Sequence, residues 1–351
     1  MPLYTIADSF PAHWSYGQYE QAIHASLAQQ IQAQWPRETV LLFSTTWMGP
    51  QTQDRIRELA QQVSHVDRLV ITSTVDAALN FEVYPLIDRL VQQFSIDHVL
   101  KVGNFDGPWQ FNLFAMACWD NFCEYHTPDL ILQQCQWLYC CYNRKPYQHR
   151  VDMVQVLVDS GLDSLGTVTL GRAFPGEPDH GLYRSIGERD EDYRAWGHWY
   201  VLGTESTPHE IPHDLYSLHN WTRWSGHFLH IVNTTSASNE QDIFANQITF
   251  KPLIGMRPFV INGQTRQYQW LRDQGFRTFT HLWPWADLEQ GYYGTKDLAL
   301  AIADVVKSLS KLSSAQLVAL YHDLLPDLLH NRQRWFEWAA EQKTRVSRLF
   351  Q

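Results

Sequence analysis

The chain has 351 residues, enough for two domains, and its 44% apolar content is too high for a disordered polypeptide. Its formal net charge is −10, from 27 Lys and Arg against 37 Asp and Glu. That field opposes nucleic-acid backbones and anionic membranes, and no Lys/Arg cluster offsets it.

No stretch approaches the roughly 20 apolar residues of a membrane span. Met1 is followed by Pro-Leu-Tyr and then Asp8, without a basic leader, so a cytoplasmic protein without a secretory signal is expected. The five cysteines (Cys118, Cys123, Cys135, Cys140, Cys141) fall in one region and form no disulfide framework, as in a reducing compartment. Cys140 and Cys141 are adjacent in an apolar strand candidate and face opposite ways, so they do not share an ion. The 16 histidines show no zinc spacing, and no metal is expected.

In chain order, Val40–Phe43 predicts a strand, about 54–63 a helix, Arg68–Thr72 a second strand and Tyr84–Phe94 an amphipathic helix. His98–Val102 makes a third strand, ending in Gly103-Asn-Phe-Asp-Gly-Pro108, and a helix follows over 111–122. A second series starts with Trp137–Tyr142 as a buried strand and Asn143-Arg-Lys-Pro146 as a turn. Gln148–Ser160 is a helix stopped by Gly161, and Leu165–Leu170 is a strand. Residues 171–225 read as long loops. Phe228–Val232 and Pro258–Ile261 resume the sheet, 266–274 is a helix ended by Gly275, and Arg277–Phe279 is a short last strand. Helices close the chain over 295–311 and 314–349, with an interruption near Pro326. The alternation predicts an α/β protein with two parallel sheets, whose ligands meet the carboxyl ends of the strands.

Several constellations carry chemistry. Asn143, Arg144 and Arg150 stand between a strand and a helix, where cationic donors and helix-terminal amides suit a diphosphate. Asn246, Gln247 and Thr249 offer neutral hydrogen bonds ahead of a strand, and Lys251 offers a point charge that Pro252 holds toward extended geometry. Asn233 to Ser236, including Thr235, would sit at a strand tip. Asp106, after the third strand, is a candidate general base, in competition with Asp8, Glu82, Asp120 and Glu124. The aromatic share of 14%, with 15 Trp, suits carbohydrate as well as cores.

From about Leu138 to Phe279 the chain resembles the carboxyl-terminal domain of two-domain, Rossmann-like (GT-B) glycosyltransferases. It is similar in particular to a viral, phage and bacterial group related to α-1,3-fucosyltransferases. The resemblance rests on Asn143-Arg144, His149-Arg150, Thr249-Phe-Lys251-Pro252, Pro258-Phe259 and Leu271-Arg272 followed by Gly275-Phe-Arg-Thr-Phe279, in that order. It implies two Rossmann-like domains facing a cleft, with carboxyl-terminal helices. The acceptor-side domain would be 1–130, the nucleotide-sugar domain 131–300, and the terminal helices 301–351.

It further implies metal-independent transfer of a sugar from a nucleotide-sugar donor to a carbohydrate or glycosylated acceptor. An aspartate or glutamate of the first domain would be the base, for which the residue reading offers Asp106, and Asn143, Arg144, Arg150, Thr235, Asn246, Gln247 and Lys251 would hold the donor. The chain departs from the group where Asn246-Gln247-Ile248 replaces Thr-Glu-Lys, and where Thr234-Thr235 stands for an acidic residue. A non-catalytic glycan- or protein-binding subunit on the same fold is the alternative. Enzymatic modification of nucleosides in DNA is weakened by the net charge.

Overall fold

Two four-stranded sheets, each with all its strands parallel, organise the chain. The computed structural model describes residues 3–6, 15–44, 50–73, 83–103, 125–143, 145–173, 178–184, 218, 221–235, 237, 243, 245–290 and 294–348. The expected helix over 111–122 lies outside them. Two compact units result: Met1–Trp119 with Glu240–Phe244 and Trp338–Gln351, and Asp120–Asn239 with Ala245–Glu337. Each sheet is flanked by helices, so the architecture is that of two Rossmann-like α/β domains of GT-B-like type.

The first unit comprises β1 (Leu3–Ile6), α1 (Ser15–Gln34), β2 (Val40–Ser44), α2 (Pro50–Gln62), β3 (Arg68–Ser73), α3 (Val83–Gln93) and β4 (His98–Gly103), with sheet order β1-β2-β3-β4. Leu41, Phe43, Leu69 and Ile71 share one core with Ile56 and Leu59 of α2 and with Leu86, Ile87 and Leu90 of α3. The opposite face meets α1, where His24 Nε2 lies 3.3 Å from Thr72 Oγ1. Burial on both faces explains why β2 and β3 read as unbroken apolar runs. The sequence reading missed β1 and α1. The first is a four-residue edge strand, and the second is rich in Gln and Ala, although its buried Ile23, Leu27 and Ile31 recur every fourth residue.

The second unit contains α4 (Thr127–Leu130), β5 (Trp137–Cys141), α5 (Gln148–Asp159), β6 (Thr167–Val168), α6 (Trp221–Ser225) and β7 (His227–Asn233). It continues with α7 (Gln247–Ile254), β8 (Phe259–Asn262), α8 (Gln267–Asp273), α9 (Thr295–Leu309) and most of α10 (Ser314–Ser347). Its sheet order is β6-β5-β7-β8, with Cys141 level with both Val168 and Ile231, and Asn233 level with Asn262. The chain moves outward from β5 in both directions, which makes the β5/β7 boundary a topological switch point. Helix α9 packs on α5 and touches β5 and β8, and α7 packs on β7.

Four expectations need correction. Residues 246–251 are not an extended loop: Asn246 caps α7, and Lys251 and Pro252 are helical. Burial of Phe250, Leu253 and Ile254 outweighs the one backbone bond that proline removes. Arg277–Phe279 forms no strand, because Asn331 on α10 takes both of Arg277's main-chain groups: Arg277 N–H donates to Asn331 Oδ1 (2.7 Å), and Asn331 Nδ2 donates to Arg277 O (2.9 Å). The strand proposed over 165–170 shortens to Thr167–Val168, since Asp163–Leu165 makes a 3-10 turn. Pro326 does not interrupt α10. Buried Leu317, Tyr321, Leu324, Leu328, Asn331 and Trp335 alternate at spacings of four and three, and Pro326 lies on the exposed side of that seam.

Gly255, which follows α7, packs against the fully buried Trp224. An added Cβ would lie 2.1 Å from Trp224 Cζ2, and the indole Nε1 already donates to Gly255 O at 3.0 Å. Gly255→Ala is therefore expected to destabilise the protein by about 1–3 kcal/mol through overpacking, as a lower urea midpoint with an unchanged slope.

Candidate functional site at the carboxyl edge of the second sheet

Strands β5, β7 and β8 all run into polar residues at their carboxyl ends, and those residues are buried. Asn143, Asn233 and Asn262 are at most 1% exposed. Burying a carboxamide is costly unless it is hydrogen-bonded, and most of these groups are. Asn143 N–H donates to Thr169 Oγ1 (2.8 Å), and Asn143 Nδ2 donates to Thr169 O (2.9 Å). Asn262 Nδ2 donates to Asn233 Oδ1 (2.5 Å) and to His149 O (3.0 Å), and Asn233 Nδ2 reaches Cys141 Sγ (3.1 Å). The carboxamide oxygens of Asn143 and Asn262 have no hydrogen-bond partner among the described residues.

Helix α5 starts at this edge and places His149 and Arg150 in its first turn. Both are buried. Arg150 Nε and Nη2 donate to Thr234 O (3.2 and 2.9 Å), Nη2 also to Asn233 O (3.1 Å), and Nη1 to Lys145 O (3.3 Å). Its guanidinium lies 4.9 Å from the Tyr147 ring centroid. His149 Nε2 donates to Thr234 O at 2.7 Å, which fixes the proton on that nitrogen. Burial and then the Arg150 charge push the His149 pKa down to about 4. Burial also pushes the Cys141 thiol up to about 11, so it is an inert packing group.

The contacts continue from Thr234 to its neighbour Thr235, whose Oγ1 accepts from Asn246 Nδ2 (2.9 Å), while Asn246 Oδ1 accepts from Ile248 N–H (3.0 Å). Asn143, Arg150, Thr235 and Asn246 thus gather at one edge. Lys251 is buried in α7, and Ile248 is half-buried. Gln247 opens α7, but its side chain, like Asp106 and Arg144, lies outside the described residues. Behind this edge, Thr249 Oγ1 donates to Gln267 Oε1 (3.5 Å) and Gln267 Nε2 donates to Gln264 Oε1 (3.4 Å), extending a buried polar layer beneath α7. The sequence reading missed Asn262 and Thr169. The signal for Asn262 was an apolar run ending abruptly in asparagine, as also happens at Asn233.

Among the described residues, the one group spaced for a cation is His65, Asp67 and Asp97 in the first unit, at the amino ends of β3 and β4. Its two outer members are exposed. His65 Nε2 lies 3.2 Å from Asp67 Oδ1, and the Thr39 N–H, then His65, hold the Asp67 carboxyl below its usual range. A surface ion pair accounts for this geometry.

Removing Arg150 would leave three main-chain carbonyls short of donors. Arg150→Ala is expected to cost about 1.5–3 kcal/mol in urea unfolding, and Arg150→Lys to restore only part of it, since an ammonium cannot span three carbonyls in one plane. The depressed His149 pKa makes stability pH-dependent. The unfolded imidazole protonates near 6.5 and the folded one only near 4, so its contribution is complete above pH 6.5 and lost as pH falls toward 4. His149→Gln, which retains a donor for Thr234 O, should flatten the stability profile between those limits by up to about 1.36 kcal/mol per pH unit. Compared with known proteins, the chain matches no family model, no curated protein and no solved structure.

Proposed function

We propose that the second domain binds a nucleotide-sugar donor at the carboxyl edge of its sheet and that the protein transfers the sugar to a carbohydrate acceptor. The observation that carries this reading is the buried polar group of Asn143, Asn233, Asn262, His149 and Arg150 at the β5/β7 switch point, where open parallel sheets take their ligands. Arg150 adds a cation to the positive end of the α5 dipole, an arrangement that disfavours an isolated helix and favours an anion in front of it. The ordered resemblance from Leu138 to Phe279 supports a sugar nucleotide as that anion.

In this reading Arg150 is a positioning residue, because most of its donors are engaged by main-chain carbonyls. Lys145 and Arg172 are the cations for the diphosphate. Parallel pairing continues past β6, with Thr169 N–H donating to Cys141 O and Gly171 N–H to Asn143 O, both at 3.0 Å; Lys145 and Arg172 follow these paired residues in the chain. Arg172 is exposed, stacks 4.4 Å from the Tyr183 ring centroid, and has no carboxylate partner among the described residues. The acceptor hydroxyl would attack the anomeric carbon as the bond to the nucleoside diphosphate breaks. Its proton would pass to a carboxylate, for which Asp106 is the candidate.

Ile248, where the resembling group carries lysine, favours a second reading in which the fold is kept as a non-catalytic glycan- or protein-binding subunit. Calorimetric titration with UDP-, GDP-, ADP- and CMP-sugars, with and without divalent metal, separates the two. The transferase reading expects one donor to bind, with Lys145→Ala and Arg172→Ala each weakening it roughly ten- to a hundredfold while the fold is unchanged. Absence of binding at millimolar donor excludes it. Donor binding without hydrolysis or transfer supports the non-catalytic subunit.

A further inference from the structure

The first unit carries a second candidate site, at the amino ends of β1 and β2. A cavity of about 290 Å³ opens there, lined by the aliphatic Leu3, Ile31 and Val40 and by Gln32, Trp35 and Glu38. Its polar and aromatic walls are held in place. Helix α1 ends at Gln34, and the chain reverses through Trp35-Pro36-Arg37-Glu38, with Glu38 N–H donating to Trp35 O at 3.3 Å. Proline at the second position presets that turn. Arg68 then clamps both ends of it. The guanidinium stacks 4.7 Å from the Trp35 ring centroid and pairs with both Glu38 oxygens, through Nε to Oε2 and through Nη2 to Oε1 at 3.2 Å. Two contacts from one planar group fix the indole and the carboxylate relative to each other.

We infer that this cavity binds a single neutral sugar ring. Its volume lies at the lower limit for small-molecule pockets, which suits one ring. The indole and aliphatic walls match the C–H face of a pyranose, and the Gln32 amide and Glu38 carboxylate are planar partners for its hydroxyls. Arg68 balances the Glu38 charge, so the cavity does not select a cation. A purely apolar occupant would leave the desolvated edge of that ion pair without compensation. The site stands on residues of the first unit alone and is independent of donor binding by the second.

Saturation-transfer NMR on the intact chain with methyl glycosides of glucose, galactose, mannose and fucose tests the inference. At least one glycoside should show ring-proton saturation with millimolar affinity. Trp35→Ala should weaken it at least about tenfold, and Trp285→Ala, at an exposed tryptophan of the second unit, should leave it unchanged. Gln32→Ala removes an exposed side chain, so it reports binding even if Trp35→Ala fails to fold. Its effect should be a several-fold loss. Absence of saturation by every glycoside overturns the proposal. So does binding that persists in Gln32→Ala and in folded Trp35→Ala, or tight indole binding that no glycoside displaces.

Discussion

One buried guanidinium holds the carboxyl edge of the second sheet together. Arg150 lies in the first turn of α5 and donates to the carbonyls that end β7 and to one in the loop after β5. Taking a cation out of water is costly, and three main-chain carbonyls compensate for it here. The position of Thr234 depends on these contacts, and so does the route through Thr235 to the asparagine that caps α7. Removing Arg150 would loosen the whole edge, a wider effect than the loss of one side chain on its rim.

Arg150 was expected among the residues that hold a donor, and its hydrogen bonds also give it a structural role. A residue whose donors are engaged by main-chain oxygens shapes a site and contributes field to it. Under the proposed reading, Lys145 after β5 and Arg172 after β6 would meet the diphosphate. The exchange of lysine for Ile248 is then a relocation of charge within the edge under the transferase reading, and a loss of function under the alternative. A shared fold decides between these no better than composition does.

The high aromatic content resolves residue by residue. Trp224 and Trp335 are fully buried and pack the second unit, with Trp224 pressed against Gly255 so closely that no side chain fits between them. Trp35 is different. It is half-buried and stacked on Arg68 beside a cavity. A count of tryptophans could not tell packing from recognition, because both uses need the same flat apolar surface.

Strands buried on both faces, such as Val40–Ser44 and His227–Asn233, were legible because their apolar runs are continuous and short. So were the amphipathic α3 and the glycine stops at Gly161 and Gly275, both at positive φ. Reading failed where a distant group intervened. Lys251-Pro252 looks extended to its neighbours and is helical because Asn246 caps the turn and Phe250 is buried. Arg277–Phe279 has strand composition, but Asn331, more than fifty residues away, occupies its backbone groups. The sequence by itself determined the α/β class, most strands and the polar residues that could serve a ligand, since these follow from local periodicity and side-chain chemistry. Only the tertiary structure decided the strand order that creates a switch point, which donors remain for a ligand, and where an arginine clamps a tryptophan to a glutamate. Those depend on hydrogen-bond partners brought together from far apart in the chain, which no local pattern encodes.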